Sequence, residues 1–309
     1  MRGRHDNLTR TRALDPQRDY LDIYQRMLRY EFPWDMKLGL NLAFNRSFSI
    51  PAIATVHTAT GELTDRTQKR IDDTGLLMYE MVLNGFEQPR GRDALRRVNQ
   101  IHRPYDIGND DFRYVLGCLV VIPTRWLQAY GWRPPCCHER QATYLFYREL
   151  GRRMGITDIP ASYDEFETWF DAHDAAHLQP NDDAAAIERA TRTLMLNRLP
   201  RMLAPLGNAL VSAMYDEPLR RATRVDTPAW SVRAGLHLAL KTRSLFQWWF
   251  GAPRATPLFA DGIRARSYPD GYEISQLGPQ HDRRDSGVAG TGVTDPAGRE
   301  RRSSEPAPE

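Results

Sequence analysis

Residues 64–85 read TDRTQKRIDDTGLLMYEMVLNG, and this stretch decides the fold class. Its apolar side chains and one threonine recur three or four residues apart: Ile71, Thr74, Leu77, Met78 and Met81. This spacing predicts a long helix from about Thr64 to Asn84 with one face buried in a core. Gly85 is the natural end of that helix, because glycine adopts the backbone conformation that stops it.

The sequence on either side has the same helical character. A second helix is expected over about 89–101, with Ala94, Val98 and His102 spaced by four residues on one face. Ser162 and Glu165 form a capping-box pattern that opens a further helix. No stretch shows the apolar–polar alternation of strands bounded by hairpin turns. The pattern therefore predicts an all-α protein.

Composition excludes several functional classes. The 309 residues include 42 Lys and Arg against 39 Asp and Glu, a net charge of +3 that is too small to indicate a nucleic-acid-binding protein. The most apolar run, residues 114–123, has about half of the roughly 20 residues that a membrane span requires. Three cysteines cannot build a disulfide framework. We therefore expect a cytoplasmic protein that has no transmembrane segment and binds no nucleic acid.

The chain divides into four parts by composition. Residues 1–15 are polar and are expected to form a flexible arm, and residues 16–250 are expected to form the helical domain. Residues 251–280 contain too many helix breakers for a helix and are expected to form an ordered, loop-rich extension. Residues 281–309 are rich in Gly, Pro, Ser and charge, which predicts a disordered tail.

Three polar residues fall on apolar helical faces and are the candidate site residues. Arg70 and Thr74 lie four residues apart and project from the same side of one helix, whereas His102 comes from the next helix. Judged by residue type alone, such an arginine more often forms a surface ion pair, and such a threonine more often bonds to the backbone of its own helix. A lone histidine is more often a core residue. His57, one predicted helix upstream, is a secondary candidate for the same pocket.

Four motifs around these residues are more specific than the composition. They are R-x-x-x-T at 70–74, N-x-I-H-x-x-Y at 99–105, P-x-R-W-x-x-x-Y-G-W-R at 123–133 and M-x-I-x-D-I-P at 154–160. Together they resemble the MpaB-type oxygenases, a family that shares its catalytic domain with bacterial rubber oxygenases. The resemblance extends over roughly residues 24–241.

The resemblance implies a fold, a cofactor and a reaction. Rubber oxygenases have a globin-like helical core with additional helices, bind haem b through a histidine and use dioxygen to cleave carbon–carbon double bonds of a polyisoprenoid. By this likeness His102 is the proximal ligand of the haem iron, and Arg70 and Thr74 line the haem pocket as catalytic residues. The expected activity is that of an oxidoreductase acting on an isoprenoid or another apolar small molecule.

One departure from the family bears on the pocket. Rubber oxygenases have a lysine directly before the motif threonine that can occupy the distal haem position, but this chain has Asp73 there. Lys69 lies elsewhere on the helix, so a lysine-gated site is not expected. Because a cytoplasmic location is expected and polymeric rubber cannot enter a cell, the expected substrate is a small lipid, terpenoid or polyketide-terpenoid intermediate.

The second ring nitrogen of His102 needs a hydrogen-bond acceptor that fixes its tautomer. Asn99, Asp106 and Asp110 are near in sequence, and the sequence does not choose among them.

Other readings of the sequence are weaker. His173 and His177 have the spacing of half a metal site, but no matching pair appears elsewhere. Cys136, Cys137 and His138 lack the second cysteine pair of a zinc ribbon. The alternative function is a haem-free helical protein of the same ancestry that binds a ligand or a partner. The oligomeric state stays open.

Overall fold

The computed structural model describes residues 5–251, 254, 256–258 and 265–279. Thirteen α-helices occupy this part of the chain: α1 (Asp6–Ala13), α2 (Pro16–Arg26), α3 (Pro33–Ser47), α4 (Pro51–Thr60), α5 (Thr67–Asn84), α6 (Pro89–His102), α7 (Asn109–Tyr130), α8 (Cys137–Arg153), α9 (Tyr163–His177), α10 (Asp182–Leu196), α11 (Ala204–Met214), α12 (Glu217–Ala222) and α13 (Trp230–Phe250). A π-helical turn, Met27–Glu31, and 3₁₀ turns at Arg201–Leu203 and Ile274–Gln276 complete the regular structure. The prediction of an all-α fold is confirmed.

Local chemistry explains where the helices begin and end. Proline occupies the first turn of α2, α3, α4 and α6, where its missing N–H costs no hydrogen bond. Ser162 caps α9 by accepting a hydrogen bond from the Glu165 amide at 3.2 Å. The residue after α5 is Gly85, whose φ of +66° favours glycine. The predicted end of the long helix is therefore confirmed.

The core is built from three helix pairs: α3 with α7, α2 with α8, and α5 with α6. Gly39 lets α3 approach α7 closely, since a Cβ atom there would lie 2.8 Å from the Pro123 Cα atom. The hydroxyls of Tyr24 and Tyr147 are 2.9 Å apart and pair α2 with α8 in the buried interior. Each large apolar side chain buried in this core contributes about 1.5–3 kcal/mol to stability.

The N-terminal segment is more structured than the sequence predicted. Helix α1 lies within the expected flexible arm, and its Thr11 is buried. The Asn7 amide donates to the Glu31 carboxylate at 3.2 Å, and the His138 Nδ1 atom donates to the Thr11 carbonyl at 3.2 Å. An isolated helix of 8 residues is only marginally stable in water. The long-range contacts of Asn7 and Thr11 therefore hold α1 against the domain.

The described part of the C-terminal extension packs against α5 and α6. Leu277 is fully buried, and its carbonyl accepts a hydrogen bond from the Arg97 Nε atom at 2.6 Å. Tyr268 donates its hydroxyl hydrogen to Asp73, and Lys69 donates to the Gly278 carbonyl at 3.1 Å. The predicted tail at 281–309 lies outside the described residues. No helix in the described ranges is long and apolar enough to cross a membrane.

Candidate functional site

A cavity of about 250 Å³ lies between α4, α5, α6 and α7. Most of its wall is apolar and is formed by residues such as Val56, Leu77, Met81, Val115 and Leu119. Arg70, Thr74 and His102, the three candidate residues, all line it. The geometry therefore brings together the side chains that the sequence singled out.

His102 is the last residue of α6, and its ring is oriented by its own helix. The Nδ1 atom donates a hydrogen bond to the Val98 carbonyl oxygen at 2.8 Å. The Phe112 ring packs edge-on against the imidazole, with the ring centroids 5.4 Å apart. Among the described residues, no group bonds to Nε2. Nε2 therefore keeps a lone pair for a ligand.

Burial keeps this imidazole neutral. Desolvation lowers the pKa of His102, the Val98 hydrogen bond partly opposes this, and the charge of Arg70 lowers the pKa further. A neutral imidazole with a proton on Nδ1 is the form that binds a metal through Nε2.

None of the three residues near His102 in sequence orients its ring. The Asn99 amide donates to the Arg153 carbonyl at 3.2 Å, and Asp110 pairs with Arg113 at 2.8 Å. Asp106 lines the cavity but makes no hydrogen bond to Nδ1. The acceptor is the backbone carbonyl of Val98, one helical turn earlier. The sequence could not indicate it, because every residue carries a backbone carbonyl.

Arg70 brings a positive charge to the same cavity. Its Nη1 atom donates to the Thr74 hydroxyl, and that hydroxyl donates to the Arg70 carbonyl oxygen at 3.0 Å. In the ranges that the structure describes, no carboxylate lies within 4.0 Å of the Arg70 guanidinium. Burial lowers the pKa of Arg70, while the more distant charges of Asp73 and Glu62 oppose this effect. A guanidinium without a counter-ion in an apolar cavity can hold an anionic group.

His57 on α4 is a second imidazole in the cavity wall. Burial is the main cause that lowers its pKa to about 3, followed by the charge of Arg70 and by electrostatic coupling to His102. Its ring packs edge-on to Phe48 at a centroid distance of 4.6 Å. The cavity therefore contains two neutral imidazoles and one cation, and His57 becomes a stronger candidate than its position in the sequence suggested.

Asp73 and Lys69 lie away from the cavity. Their side chains form an ion pair at 2.7 Å, and Tyr268 of the C-terminal extension also bonds to Asp73. Neither residue lines the cavity wall. The residue that replaces the lysine of rubber oxygenases thus serves to attach the extension to α5.

A second cavity of about 260 Å³ lies between α2, α3 and α5 and was not anticipated from the sequence. It shares part of its wall with the first cavity, namely Phe44, Thr74, Met78 and Leu119. Gly75 borders it, and a Cβ atom at that position would meet no atom within 4 Å. Glycine inside a helix was the available signal, since it weakens a helix unless space or packing requires it.

The weaker candidate clusters have structural roles. The His173 and His177 rings stack at 4.2 Å, and the His177 Nδ1 atom donates to the His173 carbonyl. Cys136 and Glu139 form a capping box at the start of α8. No group of three potential metal ligands occurs in the described residues.

The fold and the site define an all-α protein with a largely apolar cavity, whose wall contains an oriented neutral histidine and a cation that has no carboxylate partner among the described residues. Residues 37–248 match the family described as "ER-bound oxygenase mpaB/B'/Rubber oxygenase, catalytic domain". This match covers more than half of the chain, and the chain belongs to that family. The resemblance seen in the four sequence motifs is thereby confirmed.

Individual relatives are fungal proteins of moderate similarity. The ER-bound oxygenase mpaB' of Penicillium brevicompactum is 27% identical over an alignment of 267 positions, which covers 80% of this chain and 63% of the relative. The ER-bound oxygenase mpaB of Penicillium roqueforti is 28% identical over an alignment of 219 positions, which covers 65% of this chain and 73% of the relative. The mpaB of Penicillium brevicompactum is 25% identical, and the chain spans 62% of its length.

Proposed function

We propose that this protein is a haem b-dependent oxygenase that uses dioxygen to oxidise or cleave a carbon–carbon double bond of an isoprenoid or another apolar small molecule. One observation carries the proposal: His102 lines a largely apolar cavity, its Nδ1 atom is bonded to Val98, and its Nε2 atom has no partner among the described residues. Membership of an oxygenase family supports the same reaction class.

The residues of the cavity fit a b-type haem. Iron requires a neutral imidazole nitrogen, which His102 offers, and the porphyrin requires an apolar enclosure. A haem propionate requires a cation, and Arg70 has no carboxylate partner among the described residues that would compete for it. His102 would therefore hold the iron and Arg70 a propionate. When bound, the haem supplies the activation of dioxygen, as cofactors generally supply the difficult chemistry.

The protein side chains bind, orient and exclude water. The Val98 carbonyl holds the His102 ring in one tautomer, so that Nε2 stays a lone-pair donor. Thr74 accepts from the guanidinium of Arg70 and donates to the backbone of the same residue, which fixes the direction of the charge. The apolar wall keeps water from the reacting double bond.

The second cavity suits the apolar chain of the substrate. Its wall is largely apolar, and it meets the first cavity at Phe44, Met78 and Leu119. A chain in this space would bring a double bond to the shared wall near Thr74. The open space beside Gly75 leaves room for the chain.

Absorption spectroscopy of the purified protein tests the cofactor. Haem titration should produce a Soret band and a haem b spectrum after dithionite reduction, and His102→Ala should lose both. His177→Ala is the matched control, because it removes an exposed imidazole outside the cavity. A protein that takes up no haem, or a His102→Ala variant with an unchanged spectrum, would refute the assignment and favour a haem-free binding function.

A further inference from the structure

The exposed large apolar side chains in the described part of the chain are concentrated on one part of the molecule. All but one belong to residues 195–206 or residues 230–250. The remaining one, Trp34, lies under the Arg243 guanidinium of α13, which is 3.8 Å from the centre of its ring. Soluble proteins rarely collect so many apolar side chains in one exposed area unless it contacts something.

Helix α13 forms the larger part of this area. Of its 21 residues only Leu240 is buried. The strongly exposed apolar residues of the helix are Trp230, Leu238, Leu245, Phe246, Trp249 and Phe250. Helix α11, which follows the 3₁₀ turn containing Met202, packs against α13 and continues the area. We call residues 199–206 and 230–250 the α13 surface.

The charge on this surface has one sign. Helix α13 contains Arg233, His237, Lys241 and Arg243, and it contains no Asp or Glu. Arg243 pairs with Asp35 at 3.0 Å, but Arg233 and Lys241 are exposed and have no carboxylate partner in the described ranges. Arg201, in the 3₁₀ turn, is a further exposed cation on the same surface.

We propose that the α13 surface docks on a lipid bilayer that contains anionic lipids. A helix with aromatic and leucine side chains on its outer face, and with cations but no acids, has the character of an interfacial helix. Tryptophan occurs at both ends, at Trp230 and at Trp249, and this residue prefers the boundary between headgroups and acyl chains. The unpaired cations would attract anionic headgroups.

Two other occupants fit the surface less well. A second copy on a twofold axis would place the same patch against itself. This would bring Arg233 and Lys241 of both copies together, and α13 offers no acid to pair with them. The chain's own residues 280–309 contain no large apolar residue other than Val288 and Val293, so they cannot match an aromatic surface. This proposal does not depend on haem or on the oxygenase reaction.

Co-sedimentation with sucrose-loaded vesicles tests the proposal on the full chain. The protein should bind vesicles of phosphatidylcholine mixed with phosphatidylglycerol, and more weakly vesicles of phosphatidylcholine alone. The triple variant Leu238→Gln, Leu245→Gln, Trp249→Gln changes exposed positions and should abolish binding to both. Arg233→Gln with Lys241→Gln should weaken only the binding to anionic vesicles, by about five-fold per charge.

The control removes two exposed cations elsewhere, through Arg18→Gln with Arg96→Gln, and should bind like the parent. Circular dichroism verifies that each variant is folded. Failure of the parent protein to sediment with anionic vesicles would overturn the proposal, as would unchanged binding by the triple variant. A dimer in sedimentation equilibrium that the triple variant dissociates, without vesicle binding, would assign the surface to a second copy instead.

Discussion

The Nδ1 atom of His102 lies 2.8 Å from the carbonyl oxygen of Val98, one turn earlier in the same helix. A helix-internal carbonyl accepts this bond because α6 ends at His102, so the ring can fold back along the helix axis. A carbonyl acceptor is uncharged. It fixes the tautomer without drawing the imidazole toward the imidazolate form, as a carboxylate would.

This contact predicts a single histidine tautomer. In the protein without added haem, the His102 ring should be neutral at about pH 7 and carry its proton on Nδ1, because burial lowers its pKa. Nitrogen NMR of the histidine rings measures this, with His102→Gln to assign the signal. A signal from a doubly protonated His102 ring, or from the Nε2–H tautomer, would contradict the geometry.

Acid should destabilise the protein through the cavity histidines. The pKa of His57 is about 3 in the folded chain and about 6.5 when unfolded, so the unfolded chain binds more protons between these values. The free energy of unfolding should therefore fall as pH decreases from 6.5, by about 2 kcal/mol at pH 5 from His57 alone. Urea unfolding at both pH values measures this change. His57→Asn should remove most of the decrease, whereas His177→Asn should leave it intact.

Much of the helical framework could be predicted from local sequence. Gly85 and Ser162 act through their own backbone neighbours, so their signals survive in an isolated stretch. The shared face of Arg70 and Thr74 follows from helix geometry alone. Helix α1 could not be predicted, because its partners Glu31 and His138 are distant in sequence.

The features of the cavity could also be predicted from the sequence only in part. That His102 lies on an apolar face is visible in the sequence, but its backbone acceptor and the space beside Gly75 are not. The missing counter-ion of Arg70 is equally invisible, since Asp72 and Asp73 follow it closely in the chain. Only the structure shows that Ser267 bonds to Asp72, and that Lys69 and Tyr268 bond to Asp73, away from the cavity.

Alanine substitutions at two helix glycines should have opposite effects on stability, because one glycine faces open space and the other is tightly packed. Gly75→Ala should stabilise the protein by about 0.5–1 kcal/mol, because α5 gains helix propensity and the added Cβ atom meets nothing. Gly117→Ala, at a matched position inside α7, should destabilise it, since its Cβ atom would lie 2.8 Å from the Phe170 ring. Thermal unfolding compares the two variants.

The same position tests the second cavity. Gly75→Leu should fill the space, keep the haem spectrum and weaken the binding of an isoprenoid such as farnesol, measured by calorimetry. Equal affinity in Gly75→Leu and Gly75→Ala would mean that the alkene chain does not enter this cavity.

Arg46 and Arg70 should respond in opposite ways to the loss of their charge. Arg46 is buried and bonds to Asp174, and also to Asp216 at 2.7 Å. Arg46→Met would leave Asp174 as a buried carboxylate without its cation, which should cost about 3–5 kcal/mol of unfolding free energy. Arg70 has no carboxylate within 4.0 Å among the described residues, so Arg70→Met leaves no buried carboxylate without its cation. The haem-free Arg70→Met protein should therefore be at least as stable as the parent, because a desolvated charge has been removed.

Haem affinity should depend on Arg70 even though the stability of the haem-free protein does not. If Arg70 holds a propionate, Arg70→Met should weaken haem affinity while its haem-free form stays stable, and Arg70→Lys should restore part of that affinity. Urea unfolding without haem and spectroscopic haem titration give the two quantities separately. A fall in the stability of haem-free Arg70→Met as large as that of Arg46→Met would show that Arg70 supports the fold and is not reserved for an anion.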